Sequence, residues 1–187
     1  MADELAFTRP GIESSGRNIW ITPADGTGVP VNVTRLNSYH GMPFWSPDGK
    51  FLFFSSDRQG PGLYVLPLKQ ESAPADELEV KWEKPKAPVT VDIDFTDTQY
   101  RIRKIAAQQP QADLTVTADG KIFFVSEGDA WTASYDGKEV KRLTTGGGTS
   151  HLRVSPDSSK LFMLKSGGLT TFTMDHNVLS PTTFIAR

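Results

Sequence analysis

An all-β fold of repeated antiparallel sheets is predicted by three features of the sequence. Residues 44–56, 115–126 and 153–164 each combine a short strand, a turn centred on an aspartate and an apolar strand. Asp119 and Asp157 lie 38 residues apart, close to the ~40–45 residues of a four-stranded propeller blade. The Gly 16 and Pro 13 suit many short strands and tight turns. Together these features predict a partial β-propeller of about four blades, each a four-stranded antiparallel sheet, with an incomplete first blade.

The repeated turn contains the residues that a tight hairpin requires. Asp48-Gly49 and Asp119-Gly120 combine a glycine, which accepts positive φ, with an aspartate that bonds the nearby backbone. The strands that follow, at residues 51–54, 122–125 and 161–164, are continuously apolar. Such a run indicates burial on both faces, as expected of a strand held between neighbouring blades.

The whole chain, residues 1–187, is predicted to be one propeller fragment of four units. The units span residues 1–37, 38–110, 111–146 and 147–187. Unit one is expected to lack its first strand and to keep strands at 4–8, 18–22 and 31–36.

Unit two carries most of the irregular sequence. Its strands are predicted at 42–46, 51–55, 63–68 and 89–95, with 100–105 continuing the last strand; residues 98–109 are the only helix candidate. A polar insert at 69–88 is rich in Lys, Glu, Pro and Ala and is expected to be a solvated loop without function.

Composition excludes several kinds of function. The chain has no cysteine, so disulfides, thiolate metal sites and cysteine nucleophiles are excluded. A net charge of -2 gives no electrostatic reason to expect nucleic acid or a membrane as a partner. The N-terminus has no basic start or apolar stretch, so no signal peptide is expected in this chain. A protein that contains this chain is expected either in the cytoplasm or, after export, in the periplasm.

No residue is assigned to a catalytic, cofactor-binding or metal site. His40, His151 and His176 lie at equivalent-looking places in different units, but no serine stands in an activating turn. Residues 146–149 resemble a phosphate loop without the lysine or helix that it needs, and are interpreted as a turn between units. Four aspartates that could line a calcium site are interpreted as turn residues; they are Asp25, Asp48, Asp119 and Asp136.

The tryptophans give one candidate for partner binding. Trp20 and Trp131 occupy matching positions of the repeat, in residues 18–36 and 129–144, which favours a structural role between blades. Trp82 lies in the polar insert and is expected to be partly exposed. It is therefore the candidate partner-binding residue.

Two stretches resemble known families. The Ser-Pro-Asp-Gly-Lys turn at 46–50 is similar to the repeat of TolB-like propellers. Residues 81–103, with a Lys/Glu/Pro-rich stretch before Ile93-Asp-Phe95 and Arg101, resemble a segment in the propeller of tricorn-type serine peptidases. Residues 180–187 resemble the strand that leaves that propeller before the peptidase core.

The resemblance implies a function without catalysis in this chain. In tricorn-type peptidases the catalytic serine and histidine lie in a downstream domain, so no catalytic residue is carried over. The propeller is then expected to guide or gate peptide substrates and to support assembly with other domains of the parent chain. The alternatives are a TolB-like adaptor for protein–protein interaction and an enzyme, such as a glycosidase, with a site in the central channel.

The incomplete first unit should leave one flank of the fragment sticky. Leu5, Phe7 and Trp20 are expected on that flank. Peptides or proteins are the expected partners, and a homodimer that completes a larger ring is a further expectation.

Overall fold

The computed structural model describes residues 3–10, 16–70, 89–175 and 178–184. It shows four antiparallel sheets that follow one another along the chain, and we number them blades 1 to 4. The first sheet has three strands and each of the others has four, hydrogen-bonded in chain order. Trp82, with most of the predicted insert, lies outside the described residues.

The four blades divide the strands as follows. Blade 1 contains β1 (Glu4–Pro10), β2 (Arg17–Pro23) and β3 (Val31–Asn32). Blade 2 contains β4 (His40–Trp45), β5 (Phe51–Ser56), β6 (Gly62–Pro67) and, after a single helical turn α1 (Thr98–Arg101), β7 (Arg103–Ala106). Blade 3 contains β8 (Ala112–Val116), β9 (Lys121–Ser126), β10 (Asp129–Ser134) and β11 (Val140–Arg142). Blade 4 contains β12 (Thr149–Val154), β13 (Lys160–Lys165), β14 (Gly168–Asp175) and β15 (Val178–Phe184).

The predicted fold class is confirmed. The three apolar runs fall in β5, β9 and β13, which are the second strands of separate sheets. Phe7 on β1 pairs with Trp20, as Phe124 on β9 pairs with Trp131. Strand β1 is therefore the counterpart of a second strand, and among the described residues blade 1 has no first strand.

The predicted strand at 89–95 is wrong. These residues form no ladder, and the fourth strand of blade 2 is β7. Their alternating apolar side chains instead cover the core between blades 1 and 2, where Val91 is buried and Ile93 and Phe95 are partly buried. The alternation of apolar residues correctly indicates that one face of the segment is buried. It does not indicate whether the backbone pairs with a neighbouring strand.

Arg101 holds this covering segment in place. Its guanidinium donates hydrogen bonds to the carbonyl oxygens of Pro67 at 3.1 Å, Thr96 at 2.7 Å and Leu68 at 3.2 Å, and also to that of Asp94. One side chain thus ties the end of β6 to the segment that crosses it. The helix candidate at 98–109 is reduced to the four residues of α1.

The third strand of blade 1 is shorter than predicted. It ends at Asn32 and does not continue to residue 36. The Asn32 side-chain oxygen accepts hydrogen bonds from the backbone amides of Thr34 at 3.1 Å and Arg35 at 2.9 Å. These two hydrogen bonds form a turn that directs the backbone away from the sheet after Asn32.

Three apolar cores lie at the three junctions between blades. All residues of β5 and β6 are buried, because the side chains on each face of these strands contact a neighbouring blade. Residues from each side of the junctions are, for blades 1 and 2, Ile19, Ile21, Leu52 and Phe54; for blades 2 and 3, Phe53, Leu63, Ile122 and Phe124; for blades 3 and 4, Phe123, Ala130, Leu161 and Met163. Each large side chain contributes about 1.5–3 kcal/mol on burial, so the junctions hold the blades together.

The hairpin between first and second strands is closed by a hydroxyl and a carboxylate. In blade 2 the Ser46 hydroxyl donates to Asp48 at 2.6 Å and accepts from the Phe51 amide at 2.9 Å. In blade 4, hydrogen bonds from the Ser155 hydroxyl and the Ser159 amide lower the pKa of Asp157 to about 2. The same pairing therefore sets the same turn in different blades.

Ser158 offers a test of this turn. Its φ is 57°, while its counterparts Gly49 and Gly120 have φ of 70° and 82°. Left-handed backbone costs a non-glycine residue roughly 1–2 kcal/mol, partly offset by the greater freedom of glycine in the unfolded chain. We expect Ser158→Gly to raise the free energy of unfolding by about 0.5–1 kcal/mol in urea denaturation. Gly120→Ser is the matched control and should lower it; a less stable Ser158→Gly would contradict this account of the turn.

Candidate functional site on the inner strands

The first strands of the complete blades are β4, β8 and β12; β8 contacts both of the others, and we call the three the inner strands. Each carries a bulge at the same place. In every case two residues of the first strand lie opposite one residue of the second. The bulged pairs are Met42-Pro43, Asp113-Leu114 and His151-Leu152, opposite Phe54, Phe124 and Met163. A bulge re-aims side chains and interrupts pairing, and bulges are over-represented next to functional sites.

The first residue of each bulge is strained. Met42, Asp113 and His151 have φ of 54°, 51° and 55°, and none is a glycine. Each costs roughly 1–2 kcal/mol relative to ordinary backbone. Strain that recurs at one repeat position must be held by the surrounding sheets, and it marks the inner strands as the candidate site.

Charged side chains join the inner strands of blades 3 and 4. Arg153 Nη1 lies 3.1 Å from Asp113 Oδ1 and donates to the carbonyl oxygen of Leu152 at 2.6 Å. The Arg153 side chain is 71% exposed and that of Asp113 is 18% exposed. Exposed His151 lies beside them on β12, with Nδ1 3.0 Å from the Ser150 hydroxyl. The result is an accessible polar patch, Asp113, His151 and Arg153, which we call the inner-strand patch.

The structure separates the histidines that the sequence suggested were equivalent. His151 is the repeat counterpart of Met42, whereas His40 lies two residues earlier in the repeat, where blade 4 has Thr149. His176 lies outside the described residues. Of the two histidines that the structure describes, His151 belongs to the inner-strand patch and His40 does not.

His40 is buried, which the sequence analysis did not predict. It has no exposed surface, and neither ring nitrogen finds a hydrogen-bond partner within the part of the chain that the structure describes. The ring meets Phe54 edge-on at 5.8 Å between centroids. Burial disfavours the imidazolium and lowers the pKa of His40 from 6.5 to about 4; Asp57 opposes this shift, whereas Arg58 adds to it.

The depressed pKa of His40 makes stability depend on pH. Between pH 6.5 and about 4 the unfolded chain binds this proton and the folded chain does not, so the free energy of unfolding falls as pH falls through that window. We expect His40→Gln to flatten this slope in denaturation curves recorded across it. His151→Gln, at an exposed histidine, is the control and should keep the slope. An equal slope in His40→Gln and the unmodified protein would refute this role.

A buried carboxylate stabilises the end of blade 3 that faces blade 4. Asp129, with a side chain 1% exposed, accepts hydrogen bonds from Arg142 and from the Thr144 hydroxyl at 2.8 Å. Lys165 of blade 4 lies 3.8 Å away. Burial acts to raise the pKa of Asp129, but hydrogen bonds from Arg142, Thr144 and Gly147 outweigh it, and the pKa lies below its usual range.

Blade 1 repeats this arrangement with a neutral side chain. The Thr34 hydroxyl donates to Asn18 Oδ1 at 2.9 Å and accepts from the Ile19 amide at 3.0 Å. In blade 3 the Thr144 hydroxyl likewise accepts from the Ala130 amide at 2.9 Å. We call each a latch; the aspartate and asparagine are therefore structural and do not belong to the candidate site.

The latches predict graded effects of substitution. Asp129→Ala removes the hydrogen bonds that Arg142, Thr144 and the Gly147 amide donate to the carboxylate, and we expect it to lower the free energy of unfolding by about 2–4 kcal/mol. Asp129→Asn should cost less, because Asn18 satisfies Thr34 in the same geometry. Urea denaturation measures both variants. Equal losses for alanine and asparagine would show that the hydrogen bonds of the latch are unimportant.

Other kinds of site were sought in the same residues. Across residues 3–10, 16–70, 89–175 and 178–184, His, Asp and Glu side chains form no group of three that could hold a metal ion. Over those same ranges, no helix has the length and apolar character to cross a membrane. The tryptophans at matching positions each lie under an arginine: Arg9 is 5.5 Å from the Trp20 ring and Arg142 is 5.8 Å from the Trp131 ring.

Known structures share this arrangement of blades. No protein-family model matches the chain. It is similar to the tricorn protease, with a TM-score of 0.61 and 14% identity over 96% of this chain and 22% of that chain. It is also similar to a TolB from Agrobacterium tumefaciens, with a TM-score of 0.57 and 17% identity over 96% of this chain and 60% of that chain. The fold is a β-propeller.

A third similar structure is that of a protein named for a different activity. The periplasmic gluconolactonase of Pseudomonas aeruginosa matches with a TM-score of 0.52 and 16% identity, over 97% of this chain and 53% of that chain. This chain thus spans between about a fifth and three fifths of the propeller proteins named here. At these identities the likeness shows a propeller and does not distinguish a tricorn-type from a TolB-type parent.

Proposed function

We propose that this chain is a non-catalytic propeller module of a tricorn-like peptidase, which guides or gates peptide substrates and supports assembly. The observation that carries the proposal is the recurrent strained bulge on the inner strands, together with the exposed charges beside it. Strain repeated in three blades is costly, and a binding surface at the inner strands would account for its retention.

The inner-strand patch has the chemistry to hold an extended peptide weakly. Arg153 offers donors to peptide carbonyl or carboxylate oxygens, and Asp113 accepts hydrogen bonds from amides or cations. A surface ion pair contributes at most about 1 kcal/mol, so a passing peptide can replace the Arg153–Asp113 contact at little cost. Weak, exchangeable contacts suit a guide that must release what it binds.

On this proposal, hydrolysis belongs to another domain of a longer parent protein, a serine peptidase. Ser150 and His151 are in contact, but they are neighbours in sequence on one strand, and the Asp113 carboxylate of the patch pairs with Arg153 and not with the imidazole. The partners of the module are peptides or proteins and the other domains of its parent. No cofactor is required.

A second candidate function is a TolB-like adaptor for protein–protein interaction. Exposed leucines at both ends of the row of blades favour it, since Leu5 is 53% and Leu169 is 41% exposed. Apolar surface of this kind suits a folded partner better than a passing peptide. On the adaptor hypothesis the inner-strand patch would be irrelevant to binding.

Peptide binding separates the two functions. We expect a fluorescein-labelled unstructured peptide of mixed charge to bind the chain, and Arg153→Ala to raise the Kd about tenfold, equivalent to about 1.4 kcal/mol. Fluorescence anisotropy measures both. Lys141→Ala removes a cation of a comparable surface pair away from the patch and should leave the Kd unchanged.

Two results would overturn the proposal. One is an identical Kd for Arg153→Ala and the unmodified chain, which would favour the adaptor. The other is turnover of a fluorogenic peptide or of a sugar lactone by the chain alone, abolished by a substitution in the inner-strand patch.

A further inference from the structure

The blades differ at the end of the row where the turns between first and second strands lie, and we call this the turn end. The Ser46 amide donates to the carbonyl oxygen of Phe51, and the Thr117 amide donates to that of Lys121, both at 2.9 Å. These hydrogen bonds close the first hairpins of blades 2 and 3. Lys121 therefore holds in blade 3 the repeat position that Phe51 holds in blade 2.

Apolar side chains fill the turn end of the junction between blades 2 and 3. Phe51 is 2% exposed, and its ring lies 5.9 Å from that of Tyr135, which directly follows β10 in blade 3. Val65 is fully buried in the same core. Two side chains of blade 2 thus meet an aromatic ring of blade 3 and close this end of the junction.

A separate segment closes the turn end of the junction between blades 1 and 2. It is the covering segment, residues 89–95, which joins no ladder. The segment lies against the turn of blade 2, because a Cβ atom on Gly49 would lie only 2.7 Å from Val89 Cγ1. Val91 is buried in the core that also contains Ile21. The apolar side chains of this segment therefore do at one junction what blade residues do at the next.

Cations and a backbone oxygen hold the acidic residues of the covering segment. The Asp94 amide donates to the carbonyl oxygen of Leu68 at 2.9 Å. The Asp92 carboxylate pairs with Lys69, and the Asp94 carboxylate lies 3.7 Å from Arg101. The turn end of a junction can thus hold a segment in which apolar and acidic residues alternate.

Polar side chains of blade 3 stand where blade 2 has apolar ones. Thr132 pairs with Phe123 as Val65 pairs with Phe53, so Thr132 holds the repeat position of Val65. Lys121 is the second polar side chain there, at the position of a buried phenylalanine. Blade 3 therefore offers blade 4 a turn end that its own side chains do not close.

A cleft of about 280 Å³ lies at this place, between Lys121 and Thr132 of blade 3 and Met174 of blade 4. We call it the turn-end cleft. Its floor is apolar, because Met174 packs on the core between the two blades, whereas Thr132 and Ser134 bring hydroxyl groups to its wall. The volume lies just below the ~300–1,000 Å³ of small-molecule pockets, so it suits one or two peptide side chains.

The cleft is not a consequence of where the row of blades begins or ends. It lies between two sheets that each have four strands. The junction between blades 2 and 3 also joins two four-stranded sheets and is closed at the same place by Phe51 and Val65. The difference between the two junctions therefore lies in the side chains at two repeat positions.

Lys121 gives the cleft a donor for a carboxylate. Its Nζ lies 3.6 Å from Asp119, beyond the range of about 2.7–3.2 Å for an N–H···O hydrogen bond. The Lys121 side chain is 33% exposed and that of Asp119 is 60% exposed, so the lysine is the more enclosed of the two. An ammonium has three donors, so a ligand carboxylate can add to this pair. A second pair on the rim, Lys141 with Glu139, is exposed on both sides and contributes little.

We propose that the turn-end cleft binds a peptide segment in which apolar residues alternate with acidic ones, as residues 91–95 do at the junction of blades 1 and 2. An apolar side chain of the peptide takes the place that Phe51 fills at the junction of blades 2 and 3. A neighbouring carboxylate accepts hydrogen bonds from Lys121. The site goes beyond the proposed function, because it uses none of the residues of the inner-strand patch.

The probe is a fluorescein-labelled synthetic peptide, Val-Thr-Val-Asp-Ile-Asp-Phe-Thr, which has the sequence of residues 89–96. The covering segment of the chain keeps its own junction closed, since tethering gives it an effective concentration on the order of mM. The free peptide therefore reports on the turn-end cleft. We expect fluorescence anisotropy with the 187-residue chain to give a Kd below about 1 mM.

Lys121→Phe should close the cleft, because it restores the aromatic side chain that Phe51 supplies at the preceding junction. We expect it to raise the Kd of the peptide by about tenfold or more while the chain keeps a cooperative unfolding transition in urea. Lys160→Phe is the matched control. Lys160 holds the same repeat position in blade 4, where it pairs with Thr173, and is outside the cleft. This variant should leave the Kd unchanged.

Changes in the peptide test the same contacts without relying on a folded variant. A peptide with Ile93→Ser and Phe95→Ser has lost large apolar side chains and should bind at least about tenfold more weakly. A peptide with Asp92→Asn and Asp94→Asn should bind a few-fold more weakly at low salt, and this difference should disappear near 1 M salt, where charges are screened.

Any of three results would contradict the proposal: no binding of the peptide up to about 1 mM, an equal Kd for Lys121→Phe and the unmodified chain, or an equal Kd for the serine-substituted peptide. An equal Kd for the asparagine-substituted peptide would remove the preference for acidic residues.

The outcome is separate from that of the proposed function. Arg153→Ala should leave the Kd of this peptide unchanged, although it weakens binding of the mixed-charge peptide at the inner-strand patch. A chain that binds the mixed-charge peptide alone would keep the proposed function and lose this site. Binding of the alternating peptide alone would do the reverse.

Discussion

Burial of the second strand on both faces is the constraint on which this structure depends. Every residue of β5 is buried, because odd and even side chains serve two different cores. A single blade would leave one of those faces in water, so blades gain their stability only in a row. The same constraint fixes strand register, since a shift of one residue would exchange the faces of Phe53 and Phe54.

A fixed second strand lets the first strand deviate. Met42, Asp113 and His151 are held in left-handed backbone opposite Phe54, Phe124 and Met163, which are anchored in the junction cores. The bulge therefore lies where one side of the strand is rigid and the other side is free of pairing within the blade. The second strand therefore provides the stability of the blade, while the side chains of the first strand can differ from blade to blade. This arrangement suits a binding surface whose residues vary between blades.

The sequence predicted what repeats chemically and missed what repeats only geometrically. The Asp48 and Asp119 turns and the apolar runs after them were visible because the same residue types recur. The bulges gave no such signal, since methionine, aspartate and histidine share no side-chain chemistry. The segment at 89–95 misled because Val91 and Ile93 alternate as in a strand but pack as a cover. The residues of the latches recur in the sequence, as Asn18 with Thr34 and Asp129 with Thr144. Their structural role could be recognised only from the hydrogen bonds between them.

The candidate site and the two ends of the row of blades are coupled by geometry. The inner-strand patch lies on β8 and β12, first strands that contact one another, so its confinement depends on how many blades complete the row. An open row would expose Arg153 and His151 to bulk solvent, where an ion pair with a peptide is screened and weak. A closed ring would enclose the same charges and raise the effective strength of each contact. Covering Leu5 and Leu169 would therefore be a condition for gating as well as for stability.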